Sequence, residues 1–347
     1  GSKNISFEGI VFENGCSSGV EISGCEKVTL KECIVRQISG AGVSIDGGKE
    51  CGLKKCHVQT IGKTAVRLSG GDRQTLSASK HFVTGCHIHD FARLVQTYCP
   101  AVKLDGVGQV VSNNYMHDAP HCAVLFGGND HQIQFNHIER VCLDTADAGA
   151  IYCGRDWTMG GNKIVGNYIH DLGKGAHHWV WGIYLDDMAS GIEVSGNVVA
   201  DTSAGFLIGG GRNNVIKDNL IANCNGQSFI FDARAVGWAG FHVKKPDSTM
   251  WKRLRAVPFN KGVWNERFGY LAKIEMDTCG QPRGNVVAGN KVFNSPGMKL
   301  NGLVSKHGTV KDNVRTDKPV DIKLKGGRLS ISDEKLKAYE TMNIGPE

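Results

Sequence analysis

Proline is scarce in this chain of 347 residues, which has 8 prolines against 46 glycines. Proline interrupts strands and helices, whereas glycine accepts tight turns, so the composition favours many short regular segments joined by turns.

No apolar run reaches the roughly 18 residues of a membrane-spanning helix. Hydrophobic residues at 41% and charged residues at 21% are ordinary for a globular chain, and we expect no membrane span.

Two classes of binding protein are disfavoured by what is missing. The 12 cysteines contain no Cys-x-x-Cys spacing, which argues against a structural zinc site. The net charge is +6, but Lys and Arg are scattered through turns and the C-terminal quarter, without a basic stripe interleaved with aromatics. We therefore expect no nucleic acid partner and no cofactor.

What the chain does contain is a repeated cassette of a short apolar strand, a glycine-rich turn, and Asn or Cys before an apolar pair. The repeat returns every 22 to 36 residues. One strand position is occupied by Val20, Val43, Val66, Val102, Val124, Ile151, Ile183, Phe206 and Phe229. Two positions later stand Ile22, Ile45, Leu68, Leu104, Phe126, Cys153, Leu185, Ile208 and Phe231. Because strand side chains alternate, both columns share one face, which predicts a single stacked core.

A third column of small residues follows a turn. It consists of Gly9, Cys33, Cys56, Cys86, Asn114, Asn136, Asn167, Asn197, Asn219, Asn290 and Asn313. Such side chains can hydrogen-bond to their copies one rung above and below, which predicts an asparagine ladder. Buried free thiols are predicted at Cys33, Cys56, Cys86 and Cys153, although rungs about 4.8 Å apart would permit a disulfide.

A period of this length indicates a solenoid, and strands without amphipathic helices between them favour a parallel β-helix. The prediction is an all-β fold, a right-handed single-stranded parallel β-helix forming one domain over residues 1–347. Its coils span residues 5–235 and 281–330, with a C-terminal tail at 331–347. Residues 236–280 abandon the pattern and are predicted to be helical, either as a cover or as a wall of a site. Residues 70–100 and 171–182 are insertions, where sites are commonly built.

The candidate chemistry is concentrated between residues 144 and 187. Asp186 faces outward between Gly154 and Gly209 on the neighbouring rungs, which predicts a trough that admits a sugar ring. Asp147 leads into the adjacent strand. The strand spacing predicts that it lies on the order of 5 to 10 Å from Asp186. Two carboxylates at such a separation suit glycoside cleavage, and Asp187 is the substitute for Asp186.

Aromatic, basic and further acidic residues accompany these aspartates. The predicted substrate-binding residues are Asp144, Tyr152, Arg155, Asp156, His177, His178, Trp179 and Tyr184. Aromatic faces stack on sugars while carboxylates bind hydroxyls. The competing interpretation is that turn aspartates bind their own backbone.

Two other chemistries stay open. His89, His117, Glu139 and His170 share one position on successive rungs and could hold a divalent metal, or could form a hydrogen-bonded surface column. A polysaccharide lyase would need a Lys or Arg base and a group that neutralises a uronate. Arg155 is available for this, but no lysine lies in the motif block. A noncatalytic glycan-binding or assembly β-helix is the alternative from another class.

Three successive motifs, GAIYCGRDWT, GIYLDDMASG and GFLIGGGRNNVIKDN, together with LRAVPFNKGVWNERFGYLAKI and QPRGNVVAGN, resemble the catalytic β-helix of glycoside hydrolase family 141. That family includes an α-L-fucosidase acting on pectic polysaccharide and xylan-cleaving enzymes. The resemblance covers residues 102–313. It implies a secreted or periplasmic hydrolase of plant-type or algal saccharides, using Asp147 and one of Asp186 or Asp187. Family members carry extra N-terminal coils, so we expect further coils or a partner to cover the first rung.

Overall fold

The computed structural model describes residues 1–173 and 179–346 and forms an elongated coil of three parallel β-sheets. Each turn of the coil contributes one strand to each sheet, and each strand pairs with its equivalent on the next turn. Among the described residues the three sheets hold eleven, eleven and ten strands. No helix in this part of the chain is long and apolar enough to cross a membrane.

The strands are short because a turn residue follows every few positions. The first sheet consists of Lys3–Glu8, Glu26–Lys31, Gly52–Lys54, Phe82–Thr84, Val110–Ser112, Gln132–Gln134, Lys163–Val165, Glu193–Ser195, Val215–Lys217, Val286–Ala288 and Thr309–Lys311. The second sheet consists of Val11–Glu13, Ile34–Ile38, His57–Ile61, His87–His89, Tyr115–His117, His137–Glu139, Tyr168–His170, Val198–Ala200, Leu220–Ala222, Lys291–Phe293 and Val314–Thr316. The third sheet consists of Val20–Ser23, Val43–Asp46, Val66–Gly70, Val102–Gly106, Val124–Phe126, Ala148–Gly154, Val180–Asp186, Ala204–Ile208, Gln227–Phe231 and Lys299–Leu300.

The predicted apolar columns form the core of the coil. Val43 pairs with Val66, and Ile183 with Phe206, in the register that the repeat predicted. Each of these four side chains is fully buried. Since every rung adds the same two inward positions, the core continues along the axis of the solenoid.

The asparagine ladder is confirmed along one corner. The Asn136 Nδ2 donates to Asn167 Oδ1 at 2.9 Å, and Asn167 Nδ2 donates to Asn197 Oδ1 at 2.9 Å. The same Asn167 oxygen accepts the backbone N–H of Asn136 at 3.0 Å, which satisfies a donor that the turn leaves unpaired. The prediction is wrong at Gly9, because Ile10 stands opposite Cys33 in the register. Gly9 instead takes the left-handed turn position, with a φ of 66°.

The four cysteines predicted to be core residues are free and buried. Cys33, Cys56, Cys86 and Cys153 are at most 2% exposed. Burial raises the pKa of the Cys153 thiol well above its ordinary value. These thiols act as small apolar residues, and Cys86 Sγ extends the ladder by accepting the Cys56 backbone N–H at 3.4 Å.

Two segments leave the coil. The first is a group of short helices, with α-helices at Phe241–Lys244, Thr249–Arg255 and Gly262–Arg267 and 3-10 helices at Arg234–Val236 and Gly269–Leu271. It buries Trp251 and Trp264 in a separate apolar cluster together with Trp157 of the coil, so the helical segment packs against the outside of the coil.

The C-terminal region departs from the prediction that coils continue to residue 330. The last coil strand is Val314–Thr316, and Ile322–Lys325 pairs with Arg328–Ile331 as an antiparallel hairpin. The turn residues Gly326 and Gly327 have φ of 53° and 75°, which glycine tolerates, so the chain reverses instead of circling the coil. An α-helix at Gly302–His307 and a 3-10 helix at Glu334–Thr341 complete the described elements.

Candidate active site

Asp186 is the last residue of a strand in the third sheet and is nearly buried, with 8% of its surface exposed. Its two carboxylate oxygens have different partners. Arg234 Nη1 donates to Oδ1 at 2.5 Å, and the Tyr152 hydroxyl donates to Oδ2 at 2.8 Å. Burial is the largest influence on this carboxyl group and raises its pKa, and the neighbouring Asp187 acts in the same direction. Asp186 can therefore hold a proton at a higher pH than an ordinary aspartate.

Asp187 occupies a different environment from its neighbour. Its Oδ2 accepts hydrogen bonds from Arg155 Nε at 2.9 Å and Arg155 Nη2 at 2.6 Å, and its Oδ1 lies 3.4 Å from Arg234 Nη1. The His242 Nε2 is 3.5 Å from Oδ2. With 3% exposure, Asp187 is enclosed by cations, which suits a residue that positions Arg155 and Arg234.

Asp147 lies at the solvent-exposed start of the adjacent strand and is linked to Asp186 through two side chains. The Tyr184 hydroxyl donates to Asp147 Oδ1 at 3.2 Å and accepts from Arg234 Nη1 at 3.5 Å. Since Arg234 Nη1 also contacts Asp186 Oδ1 at 2.5 Å, the two carboxylate oxygens are no more than about 9 Å apart. This limit is compatible with the roughly 5 to 9.5 Å found between paired glycosidase carboxylates.

A cleft of about 770 Å³ opens over the outward face of the third sheet, and Asp186 forms part of its wall. The insertion at residues 70–100 contributes Arg73 and Tyr98, and the helical segment contributes Thr249 and Arg253. The insertion at residues 70–100 and the helical segment therefore both help to build this cleft. Arg253 Nη1 is fixed there by the carbonyl oxygens of Gly154 and Arg155, at 2.9 and 3.0 Å.

The open trough predicted around Asp186 is found towards Gly127. It is absent at Gly209, where the side chain of Arg234 fills the space. A Cβ at Gly209 would lie 2.5 Å from Arg234 Cζ, so this glycine makes room for a guanidinium and not for a sugar. A Cβ at Gly154 would lie 2.8 Å from Asp186 Cβ. One rung further, a Cβ at Gly127 would meet only Asp105 Oδ1, at 3.7 Å, so the floor of the cleft is open there.

The remaining predicted residues have separate places. Tyr152, Arg155 and Asp156 line the cleft, but Asp156 accepts the Thr158 backbone N–H at 2.7 Å and caps its own turn. Trp179 is 63% exposed. Asp144 lies outside the cleft lining, in a smaller pocket of about 270 Å³. His177 and His178 fall outside the described residues.

Sequence reasoning missed Arg234, which contacts Asp186, Asp187 and Asp232. A buried aspartate needs a cationic partner, and Arg234 follows Asp232, a member of the same outward column. It also missed Lys103, Asp105 and Arg253 as cleft residues. Burial raises the pKa of Asp105.

The four residues considered for a metal are in register on the second sheet, as predicted. His89 pairs with His117, His117 with Glu139, and Glu139 with His170. Their donor atoms, however, group with other histidines: His57, His87 and His89 form one group, and His137, Glu139 and His170 another. Burial, with His170 as a second cause, lowers the pKa of His137 to about 4.

The comparison with protein families settles the fold. A family model described as the right handed beta helix region matches residues 1–99 and 100–245, so the chain belongs to that family and the predicted fold class is confirmed. No curated protein matches the chain. A solved structure named "Glycoside hydrolase" aligns with a TM-score of 0.48 and 15% identity, over 58% of this chain and 38% of the other. The chain thus spans well under half of that protein, and a likeness of this degree carries no information on mechanism.

Proposed function

We propose that this protein is a carbohydrate-active enzyme, a glycoside hydrolase that uses Asp186 as the proton donor and Asp147 as the opposing carboxylate. The observation that carries this proposal is the chain of contacts from Asp147 through Tyr184 and Arg234 to Asp186. It keeps two carboxylates of unlike environment within about 9 Å, one buried with a raised pKa and one exposed. Pairs of this kind divide acid and base roles in glycoside cleavage.

The reaction follows from these roles. Protonated Asp186 gives its proton to the glycosidic oxygen as the bond from that oxygen to the anomeric carbon breaks. In one route Asp147 attacks the anomeric carbon, and water then hydrolyses the glycosyl ester of Asp147 while Asp186 takes up the proton of that water and is protonated again. In the other route Asp147 removes a proton from the attacking water, and the two carboxyl groups return to their starting protonation by exchange with solvent. Arg234 Nη1, 2.5 Å from Asp186 Oδ1, stabilises the charge that develops there.

Exposed aromatic rings near this pair are suited to sugar faces. Trp179 is 63% exposed and Trp238 is 70% exposed, and Arg234 Cζ lies 5.5 Å from the centre of the Trp238 ring. Tyr98 is 62% exposed and lines the same cleft as Asp186. Carbon-bound hydrogens of a sugar can stack on such rings while its hydroxyls bind the acidic and basic groups.

Asp105 lines the same cleft but stands three rungs from Asp186, about 14 Å away at the strand spacing, with Gly127 and Gly154 between them on the outward face. That separation is too large for a pair of catalytic carboxylates, so Asp105 is suited to binding the saccharide. Asp187 is the less suitable substitute because Arg155 and Arg234 occupy its oxygens.

The test is turnover on defined saccharides, beginning with fucosylated pectic and xylan oligosaccharides because of the family 141 resemblance, with NMR of the products. Asp186→Asn and Asp147→Asn should each lower turnover by at least about 100-fold while leaving the fold intact. Asp105→Asn should lower turnover less than Asp147→Asn, because Asp105 stands three rungs, about 14 Å, from Asp186. Asp46→Asn, in the same outward column, is the matched control and should keep full activity. Asp232 is unsuitable as a control because it holds Arg234 at 3.0 Å.

The pH profile gives a second criterion. Activity should fall at high pH as Asp186 loses its proton, and the fall should come at a higher pH than for an ordinary aspartate because burial raises the pKa of this carboxyl group. Full activity in both Asp186→Asn and Asp147→Asn would refute the mechanism. Binding of the saccharides without any cleavage would favour the noncatalytic β-helix instead.

A polysaccharide lyase is the second candidate because the cleft is rich in cations. Lys103, Arg155 and Arg253 all line it, so a base and a group that neutralises a uronate are both available. A lyase would release a product with an unsaturated uronate, which absorbs in the ultraviolet, and Lys103→Met would abolish that signal. Hydrolysis of neutral saccharides without such a product would exclude this candidate.

A further inference from the structure

The outward face of the second sheet carries a column of aromatic and imidazole rings that the proposed hydrolase does not use. The rings stack along successive rungs, with centroid separations of 4.7 Å for His57 and His87 and 4.5 Å for Tyr115 and His137. This face belongs to a different sheet from Asp186. A column of imidazoles is chemically unlike the acidic and cationic cleft, so it calls for its own explanation.

Three donor atoms converge at the centre of this column. The His137 Nε2 lies 2.8 Å from His170 Nε2, and Glu139 Oε2 lies 3.2 Å from His170 Nε2 and 3.8 Å from His137 Nε2. Two ligands about 2.1 Å from a common ion, at angles of 90° to 110°, stand about 3.0 to 3.5 Å apart. The three measured separations, 2.8, 3.2 and 3.8 Å, lie on both sides of this range, so one ion can touch all three atoms after small side-chain shifts.

The outer atoms of the same residues are held as they are in metal sites. The His170 Nδ1 lies 2.7 Å from Asp171 Oδ2, so the proton sits on Nδ1 and the Nε2 lone pair faces inward. Glu139 Oε1 accepts from the Tyr115 hydroxyl and from Arg140 Nη1, which leaves Oε2 to face the imidazoles. A carboxylate behind a histidine is the usual support for a metal ligand.

While His170 is neutral, the arrangement also leaves an unmatched set of acceptors. In the tautomer that Asp171 selects, His170 Nε2 is an acceptor, and Glu139 Oε2 is an acceptor only 3.2 Å away. The proton on His137 can serve one of the two but not both. A cation between the three atoms satisfies all of them, and burial of Glu139, at 8% exposure, increases the cost of leaving them unmatched.

We propose that His137, Glu139 and His170 bind a divalent first-row transition-metal ion, with two imidazole nitrogens and one carboxylate oxygen as ligands. This donor set suits Fe²⁺, Co²⁺, Ni²⁺ or Zn²⁺ and leaves further coordination positions for water. Those positions face a pocket of about 460 Å³ that is also lined by Tyr168 and by Lys323 of the C-terminal hairpin. The ion therefore has a route from solvent.

The neighbouring group of His57, His87 and His89 is the weaker candidate. Its donor atoms lie within 4.8 Å of one another, but it supplies no carboxylate charge. Three of its nitrogens already have imidazole partners, since His57 Nε2 lies 2.7 Å from His89 Nε2 and His87 Nε2 lies 2.6 Å from His117 Nε2.

The experiment is titration of the chelator-treated full chain with Co²⁺, followed by its visible absorption, and with Zn²⁺, followed by calorimetry. Wild type should bind one ion tightly. Glu139→Gln and His170→Gln should each weaken binding by at least about 100-fold, and Asp171→Asn, which keeps all three ligands, by about 10- to 100-fold. His57→Gln and His307→Gln are matched controls and should bind like wild type.

Circular dichroism of each variant separates loss of ligand from loss of fold. Asp171 is exposed, so Asp171→Asn provides a variant that should fold even if His170→Gln does not. Absence of stoichiometric binding in wild type would overturn the proposal, as would equal affinity in wild type and Glu139→Gln. Loss of binding in His57→Gln alone would also overturn it, because the ion would then belong to the histidine group.

Discussion

The two faces of the third sheet follow opposite rules on the same rungs. Inside the coil, Ile151, Ile183 and Phe206 stack in register, so each rung meets an apolar residue like its own on both sides. On the outward face, Asp186 has Gly154 on the paired rung before it, and its cationic partner Arg234 is 48 residues away in the chain. The interior thus repeats the same kind of apolar residue on every rung, whereas the site depends on side chains, such as Arg234, that the repeat does not supply.

The largest effect should come from removing the unique cation. Arg234→Met leaves Asp186, Asp187 and Asp232 without the guanidinium that they share, and we expect unfolding to require about 3 to 5 kcal/mol less free energy. Urea unfolding at neutral pH measures this difference. Arg255→Met is the control, since Arg255 is half exposed and its ion pair with Glu275 spans 3.6 Å, so the variant should lose no more than about 1 kcal/mol. Equal stability of Arg234→Met and wild type would show that the three carboxylates do not depend on this cation.

The next largest effect tests the interior. Leu185 is 1% exposed and lies between Cys153 and Ile208 on the neighbouring rungs, so Leu185→Ala should leave a cavity and cost about 2 to 5 kcal/mol. Leu94→Ala is the control because Leu94 is 69% exposed. Matching unfolding midpoints for Leu185→Ala and wild type would contradict the assignment of this column to the core.

A smaller effect is expected in the ladder. Asn167→Ala removes the acceptor for Asn136 and the donor to Asn197, and it should cost about 1 to 3 kcal/mol through unsatisfied buried groups. Asn225→Ala is the control, since Asn225 is exposed and its replacement should change stability by less than about 0.5 kcal/mol. Equal free energies of unfolding for Asn167→Ala and Asn225→Ala would contradict this prediction, because water would then replace the hydrogen bonds of the ladder without loss of stability.

The contrast between the faces also explains what the sequence could predict. The interior repeats, so a column such as Val43, Val66 and Val102 appears in the sequence as a period, and the fold and register follow from it. The ladder prediction is wrong at Gly9, because the position opposite Cys33 is Ile10.

The site could be predicted only in part, because its contacts join segments of unrelated spacing. Tyr152 and Asp186 meet across adjacent rungs, and the repeat places them together. Arg234 and Arg253 enter from the helical segment, where the period ends, so no alignment of strands could locate them. The outward glycine at position 209 was consistent with either a sugar or a guanidinium, and only packing distinguishes the two.

The smallest effect concerns the protonation of Asp186. Because burial raises its folded-state pKa above the ordinary 3.8, the protonated form is favoured in the folded protein. This contribution to stability is fully present below the pKa of the unfolded chain and is lost as pH rises through the folded-state value. The stability of wild type relative to Asp186→Asn, which cannot titrate, should therefore decline as pH increases from below 3.8 towards neutrality. Asn167→Ala changes no ionisable group, so its difference from wild type should be nearly independent of pH. Urea midpoints for the three proteins across this range measure both differences. A gap between wild type and Asp186→Asn that widens with pH would mean that Arg234 holds Asp186 ionised, and Asp186 could then not be the proton donor.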